Sequence, residues 1–403
     1  MTVVEGAWLL TMTGEPVRAG RLAIDGGRIV GAGAALADRD PDLRLPGSIL
    51  MPGLVNAHTH LELSYLAGAV PPSGAFVPWV GTLLAARAGV EESVSPEVER
   101  AADAAARSMR ASGTAVVGDV SNTLRTPDIL ARHGLAGVVF HELLGFGAGD
   151  RTAQVREARA RADAAAAPDV RVTLAPHAPY SVSPDLFIAI RDDLAARPEA
   201  VSTVHVAEGE EEIEFVRTGE GPWRGVLDRL GVWNPSWRAP GTSPMAYLDD
   251  LGLFDGRTLA VHGVQADGSD LARLRATGTT LVTCPRSNRW VGAGTPPIDA
   301  FYASHVRVAF GTDSLASVAD LNLFAELAEA RRLAPRVPAR WLLEGATRTG
   351  AEALGWADAF GTLEPGKRAA VLAVRALEGV ADPEEYLLGG IQPDAVAWVA
   401  VDG

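Results

Sequence analysis

Two kinds of apolar pattern alternate along the middle of this chain. From about residue 50 to 315, short β-branched apolar runs are separated by Ala-, Leu- and Arg-rich segments whose apolar residues recur at helical spacing. The runs end near His58, Asp119, His141, His177, His205, His262, Cys284 and Asp313, giving eight strand candidates. Between them, "SPEVERAADAAARSMRASG", "RTAQVREARARADAAAA" and "ADGSDLARLRATG" predict helices, several closed by glycine as a C-cap. Strands alternating with helices imply βα units on a parallel sheet, and eight such units predict an α/β fold of the (β/α)8 TIM-barrel type. His58 to Asp313 spans 255 positions, close to the roughly 250 residues typical of such barrels.

The two ends have a different pattern. Residues 1 to 49 read as short strands with turns, including "RLAIDGGRIVGAG", whose Asp-Gly-Gly marks a tight hairpin. The stretch from 360, "FGTLEPGKRAAVLAV" and later "AVAWVAVDG", has the same character. The expected organisation is a small composite β-sandwich from 1–49 and 360–403, flanking a barrel at 50–359. Two Gly-, Pro- and Trp-rich stretches, "LSYLAGAVPPSGAFVPWVGTLL" and "VRTGEGPWRGVLDRLGVWNPSWRAPGTSPMAYL", are long for barrel connections and read as pocket wall or lid. Trp79 in the first is a candidate substrate contact.

Composition narrows the partners. The chain has 403 residues, 47% hydrophobic and 21% charged, which suits an ordinary globular protein. Its net charge of −14 repels nucleic-acid backbones and anionic membranes, so a small-molecule substrate is expected rather than either. No run reaches the roughly 18 apolar residues of a membrane span, and "MTVVEGAWLLTMTGEP" lacks a secretion-signal pattern, so the reading is cytoplasmic. The single cysteine, Cys284, fits a reducing compartment and reads as a strand-end packing residue.

The scarce histidines fall where a barrel places its active site, at strand C-termini. His58 and His60, two apart on a strand, point to one face. An isolated pair of this kind arises by chance; here it is joined by His205 in "STVHVAEGEEE", His262 in "LAVHG" and Asp313 in "VAFGTD". Imidazoles and a carboxylate gathered this way suit a divalent ion such as zinc or ferrous iron, which lowers the pKa of bound water to about 7. His133 and His305 lie in connecting segments and read as surface histidines.

The ordered motifs "PGLVNAHTHLELS", "APHAPYSVSP", "HVAEGEEE", "VHG", "CPRSN" and "GTDSLAS" resemble the amidohydrolase superfamily, in its cytosine-deaminase-like and chlorohydrolase-like branch. The resemblance implies that His58, His60, His205 and Asp313 hold one metal ion, Zn2+ or Fe2+. It further implies that His262 contacts the attacking water or substrate, and that Glu208 shuttles the proton. The residues support the last role, because Glu208 follows a ligand closely, although a run such as Glu208 to Glu212 also suits the start of a solvated helix. In binuclear relatives the second metal is commonly held by a carboxylated lysine; the only lysine here is Lys367, in the C-terminal turn, so a mononuclear site is expected.

Candidate substrate contacts are His177, Arg286, Ser287, Asn288, Glu62 and Glu142, with Ser64 beside them. Arg286 is the candidate for pairing with a substrate carboxylate. Within the branch, "HTHLELS", "CPRSN" and "GTDSLAS" are similar to aminodeoxyfutalosine deaminases. The implied activity is hydrolytic deamination of an aminated heterocycle, the adenine ring of a nucleoside-like metabolite. Hydrolytic dechlorination, or cyclic amide or imidazolone hydrolysis, is the alternative at the same site. A non-catalytic scaffold is disfavoured because every expected ligand is present. A homodimer is the assembly such relatives often form.

Overall fold

A computed structural model describes residues 1–92 and 94–400. The N-terminal strands are β1 (Thr2–Leu9), β2 (Val17–Arg18), β3 (Arg21–Asp25), β4 (Arg28–Ala32) and β5 (Leu43–Pro52). The Asp-Gly-Gly signal is the β3–β4 hairpin, where Gly26 and Gly27 take φ of +53° and +71°, a left-handed pair that suits glycine. Near the C-terminus lie β14 (Val371–Arg375) and β15 (Val396–Trp398).

β5 joins the two ends of the chain. It pairs parallel with β1 on one side and antiparallel with β14 on the other, so both segments enter one sheet in the order β15-β14-β5-β1-β3-β4. The strand runs past residue 49 to Pro52, because its last four residues are buried on this sheet. Val4, Leu9, Leu22, Ile24, Ile29, Leu50 and Val371 form the core of this unit. Lys367 lies here, 3.1 Å from Glu364, with its carbonyl accepting from the Ile29 amide.

The barrel strands are β6 (Leu54–Thr59), β7 (Thr114–Ser121), β8 (Ala136–Leu143), β9 (Val170–Pro176), β10 (Ser202–Val206), β11 (Thr258–His262), β12 (Thr280–Thr283) and β13 (Arg307–Phe310). They form two parallel runs, β6-β7-β8-β9 and β10-β11-β12-β13. Hydrogen bonds close the ring at both seams. The His205 amide donates to the His177 carbonyl at 2.9 Å, and the Thr312 and Asp313 amides donate to the His58 carbonyl at 3.0 and 3.1 Å. The interior is filled by side chains, among them Val55, Ala57, Val138, Phe140, Val261, Val282 and Ala309, as expected of a packed barrel rather than a pore.

The expected helices form at Pro96–Ala111, Arg151–Ala164 and Gly268–Thr277. Their N-caps are Ser95, Asp150 and Asp267, each accepting from a backbone amide of the first turn. The two long excursions are more ordered than loops. The first contains the helix Phe76–Arg87, and the second contains Pro222–Arg229 and Pro244–Asp250. Proline opens both helices of the second excursion, where its missing N–H costs nothing, so residues that read as loop punctuation are helix starts. Among the described residues no helix is long and apolar enough to cross a membrane.

Candidate active site

A cavity of about 740 Å³ opens at the C-terminal ends of the barrel strands, lined by His60, His141, Glu142, His177, His205, Glu208, His262 and Asp313. Both long excursions contribute walls, through Phe76, Trp79 and Leu83 on one and Trp223, Val226 and Leu227 on the other. The Tyr180 and Trp223 rings stack with centroids 3.7 Å apart.

At the floor, ring nitrogens of His58, His60 and His205 lie within 4.8 Å of one another. His205 Nδ1 donates to the His177 carbonyl at 3.0 Å, which leaves its Nε2 lone pair 3.2 Å from His60 Nε2. Asp313 Oδ1 stands 3.7 Å from the same His60 nitrogen. Asp313 Oδ2 accepts from Ser287 Oγ at 2.5 Å, so Oδ1 is the oxygen left facing the histidines. Both ring nitrogens of His58 are buried without a hydrogen-bond partner among the described residues. Buried polar atoms are normally paired, so this orphaned imidazole beside two converging lone pairs and a carboxylate fits a divalent cation. Burial holds all the imidazoles neutral, the ligand form, with His60 lowered to about 3 and His205 to about 4.

Glu208 and His262 flank this floor. His262 Nδ1 receives the Asn288 amide at 2.9 Å, which places the ring proton on Nε2, 3.5 Å from Glu208 Oε2. Burial, reinforced by the Asp313 charge, pushes the Glu208 carboxyl well above its usual range. The acidic run divides by position. Glu208 faces the cavity, whereas Glu212 accepts from the amides of Ala207 and Glu208 and so fixes the turn that aims it. Ala207, His262 and Asp313 all hold left-handed backbone, with φ of 53°, 78° and 59°. Such conformations cost on the order of 1–3 kcal/mol each in non-glycine residues and concentrate at functional sites.

The remaining candidates separate by what their polar atoms touch. His177 lines the cavity; Ser181 Oγ, 2.5 Å from its Nδ1, donates to the Ala178 carbonyl, so it accepts from Nδ1 and leaves Nε2 as an acceptor toward the cavity. Glu142 lines it too, with Oε1 buried, 3.6 Å from His205 Nδ1 and without a hydrogen-bond partner among the described residues, and Trp79 lies in the wall. Glu62 also borders the cavity, but its oxygens are taken by Ser121 Oγ, the amides of Asn122 and Thr123, and Thr123 Oγ1, so it fixes the turn after β7. Ser287 and Asn288 reach Asp313 and His262 rather than the cavity itself. Ser64 is buried away from the lining.

Arg286 does not reach the cavity. Its guanidinium binds Glu326 at 2.6 Å and Asp320 at 3.0 Å, on the outer side of the short helix Pro285–Trp290. A helical turn after β12 separates successive side chains by about 100°, so Ser287 and Asn288 face inward while Arg286 faces out. Tyr180, Trp223, Asn122 and Arg87 line the cavity without having been singled out. Tyr180 sits three residues after His177 inside "APHAPYS", a motif that gave it no distinct signal.

A closed (β/α)8 barrel with a histidine-rich centre at its strand ends defines the class of metal-dependent barrel hydrolases. Residues 49–395 match the amidohydrolase family, and the chain belongs to it. It is 34% identical over 324 residues to an aminodeoxyfutalosine deaminase of Deinococcus radiodurans, covering 78% of this chain and 75% of that one. It is 30% identical over 394 residues to a 5-methylthioadenosine/S-adenosylhomocysteine deaminase of Pelotomaculum thermopropionicum, covering 92% and 84%. An adenosine deaminase of Xanthomonas campestris with bound zinc superposes with a TM-score of 0.82 at 26% identity, covering 98% and 90%.

Proposed function

We propose that this protein is a hydrolytic deaminase of an adenine nucleoside carrying a 5′ extension, of the aminodeoxyfutalosine type. The observation that carries the reading is the unpartnered His58 imidazole converging with His60 and His205, beside Glu208 and His262, on the floor of a nucleoside-sized cavity. The deaminases among its relatives support the adenine ring as the group acted on.

His58, His60, His205 and Asp313 would hold one divalent ion, zinc by the chemistry of the donors and ferrous iron as the other metal they suit. When bound, such an ion supplies Lewis-acid activation of water for attack on the amino-bearing carbon. Glu142, His177 and His205 form a second group within 4.8 Å, but His205 Nδ1 is spent on the His177 carbonyl, which favours a single ion.

Glu208 stands where it can accept the first proton that the water loses and pass it to the ring nitrogen, then take the remaining hydroxyl proton and deliver it to the amino group that departs as ammonia. The Nε2 proton of His262 is a donor aimed at the same space, held there by Asn288. His177 Nε2 offers an acceptor and Glu142 an unpartnered carboxylate oxygen for orienting the base and sugar. Tyr180, Trp79 and Trp223 supply aromatic surface that excludes water around the base.

The test is product release by metal-quantified protein supplied with aminodeoxyfutalosine, 5′-methylthioadenosine, S-adenosylhomocysteine, adenosine and free adenine. Ammonia from at least one extended nucleoside is expected. No ammonia, with chloride released from a chlorotriazine or ring opening of an imidazolone instead, would replace this reading with the alternative chemistry.

A further inference from the structure

The Phe76–Arg87 helix presents one continuous stripe to the cavity: Phe76, Trp79, Val80, Leu83, Leu84 and Arg87, spaced three or four residues apart. Five of the six are apolar, and the stripe ends in a guanidinium. Around the mouth, Leu84, Leu144 and Leu230 also border the cavity and remain 41%, 47% and 59% exposed. Apolar side chains left to water at a cavity rim are favourable contacts for an apolar ligand group.

Arg87 is built rather than draped. Its Nε and Nη2 each donate to Glu92 at 2.8 Å, and Glu92 Oε1 also accepts from Tyr65 OH at 2.7 Å. This clamp uses one edge of the fork and leaves Nη1 without a hydrogen-bond partner among the described residues. The Arg87 side chain is 29% exposed and borders the cavity. It is close enough to the floor for its charge to disfavour protonation of His60 and His177 and to favour the Glu142 carboxylate, yet it forms no ion pair with Glu142. Glu62, the other acid on this wall, spends its oxygens on the turn after β7. A pre-positioned donor edge in a partly dehydrated wall is suited to a carboxylate, for which arginine offers two parallel donors.

We propose that Arg87 reads an acidic substituent of the substrate, a carboxylate at the end of an apolar arm on the 5′ side of the nucleoside, laid along the Phe76–Arg87 helix. This rests on the deaminase reading above and assigns to Arg87 the role that the sequence suggested for Arg286. Glu92 and Tyr65 are positioning residues that act through Arg87. A second guanidinium, Arg161, also borders the cavity, but it is exposed, donates to the Asn122 carbonyl at 3.4 Å, and has the acidic Glu157 of the same helix beside it in the lining.

The test compares aminodeoxyfutalosine, whose benzoate carries the acid, with 5′-methylthioadenosine, which has none. In Arg87→Gln, KM for the acid should rise about 10- to 100-fold, the scale of a lost charge-assisted pair, while kcat changes little. KM for 5′-methylthioadenosine should stay within about threefold. Arg87→Lys should recover part of the loss and Glu92→Gln should show a smaller one, with unchanged Tm showing that the fold persists. Equal losses on both nucleosides, an unchanged KM for the acid, or a selective loss from Arg161→Gln instead would overturn the assignment while leaving the deaminase reading intact. Wild-type protein that neither binds nor deaminates either nucleoside would overturn both.

Discussion

Glu62, Glu142 and Glu208 show how one side-chain type takes three jobs from its surroundings. Glu62 has its oxygens taken by the turn after β7 and organises backbone; Glu142 keeps an oxygen free; Glu208 is aimed by a turn that Glu212 holds. The sequence sets Glu208 apart through its place after His205 and the family resemblance, but it reads Glu62 and Glu142 alike, because their difference depends on which N–H groups arrive from other elements. Arg286 and Arg87 make the same point with opposite outcome. "CPRSN" correctly marks a segment at the barrel mouth, yet the helical turn through it sends the arginine outward and the serine and asparagine in. Arg87 ends a helix that is apolar on nearly every side, so no amphipathic period announces the stripe that faces the cavity. At this scale Asn288→Ala is informative. It removes the donor that orients His262, and outer contacts of this kind are worth about 10- to 100-fold. The expected result is a loss of that size in kcat with KM nearly unchanged, measured by steady-state ammonia release.

At the scale of elements, the eight strands were legible because each is a short apolar run and seven of them, all but the one at Cys284, end in a histidine or aspartate that a packed barrel interior would not otherwise accept. The histidines and Asp313 mark those ends. The excursions were legible as important but not as helical, since Pro222 and Pro244 open helices while reading as breakers. The seam between β13 and β6 shows how tightly the elements fix the site. A Cβ at Gly311 would lie 2.7 Å from both Cβ and the carbonyl oxygen of His58 and 3.0 Å from Cys284 Sγ. Backbone cannot yield as a flexible side-chain end would. Gly311→Ala should therefore lower unfolding stability by about 1–3 kcal/mol, the usual cost of overpacking. It should also displace His58, so the purified variant is expected to carry less metal by elemental analysis. Full metal content with unchanged Tm would mean that the seam tolerates more movement than its hydrogen bonds suggest.

The whole molecule joins a β-unit made from both chain ends to a barrel whose mouth carries the chemistry. β5 ties the two, pairing β1 from the N-terminal segment and β14 from the C-terminal one before the chain enters β6. The lone lysine sits in that β-unit, so the absence of a lysine from the barrel floor is a property of the fold as well as of the composition. An ion held on the floor binds only the folded chain, and at about 100 times its Kd it adds about 2.7 kcal/mol of stability. Dialysis against a chelator should lower Tm and abolish ammonia release together, and zinc should restore both. Recovery of activity without added metal would argue against a metal-dependent site.

The central claim is that His58, His60, His205 and Asp313 form a metal centre at which Glu208 moves the proton for deamination. The most direct measurement is the rate of ammonia release from aminodeoxyfutalosine by wild-type and Glu208→Gln protein, with bound metal quantified in both. Equal metal content and a rate lower by about 10²- to 10⁴-fold in the variant are expected, the range that a positioned acid–base group supplies. Equal rates at equal metal content would contradict the claim.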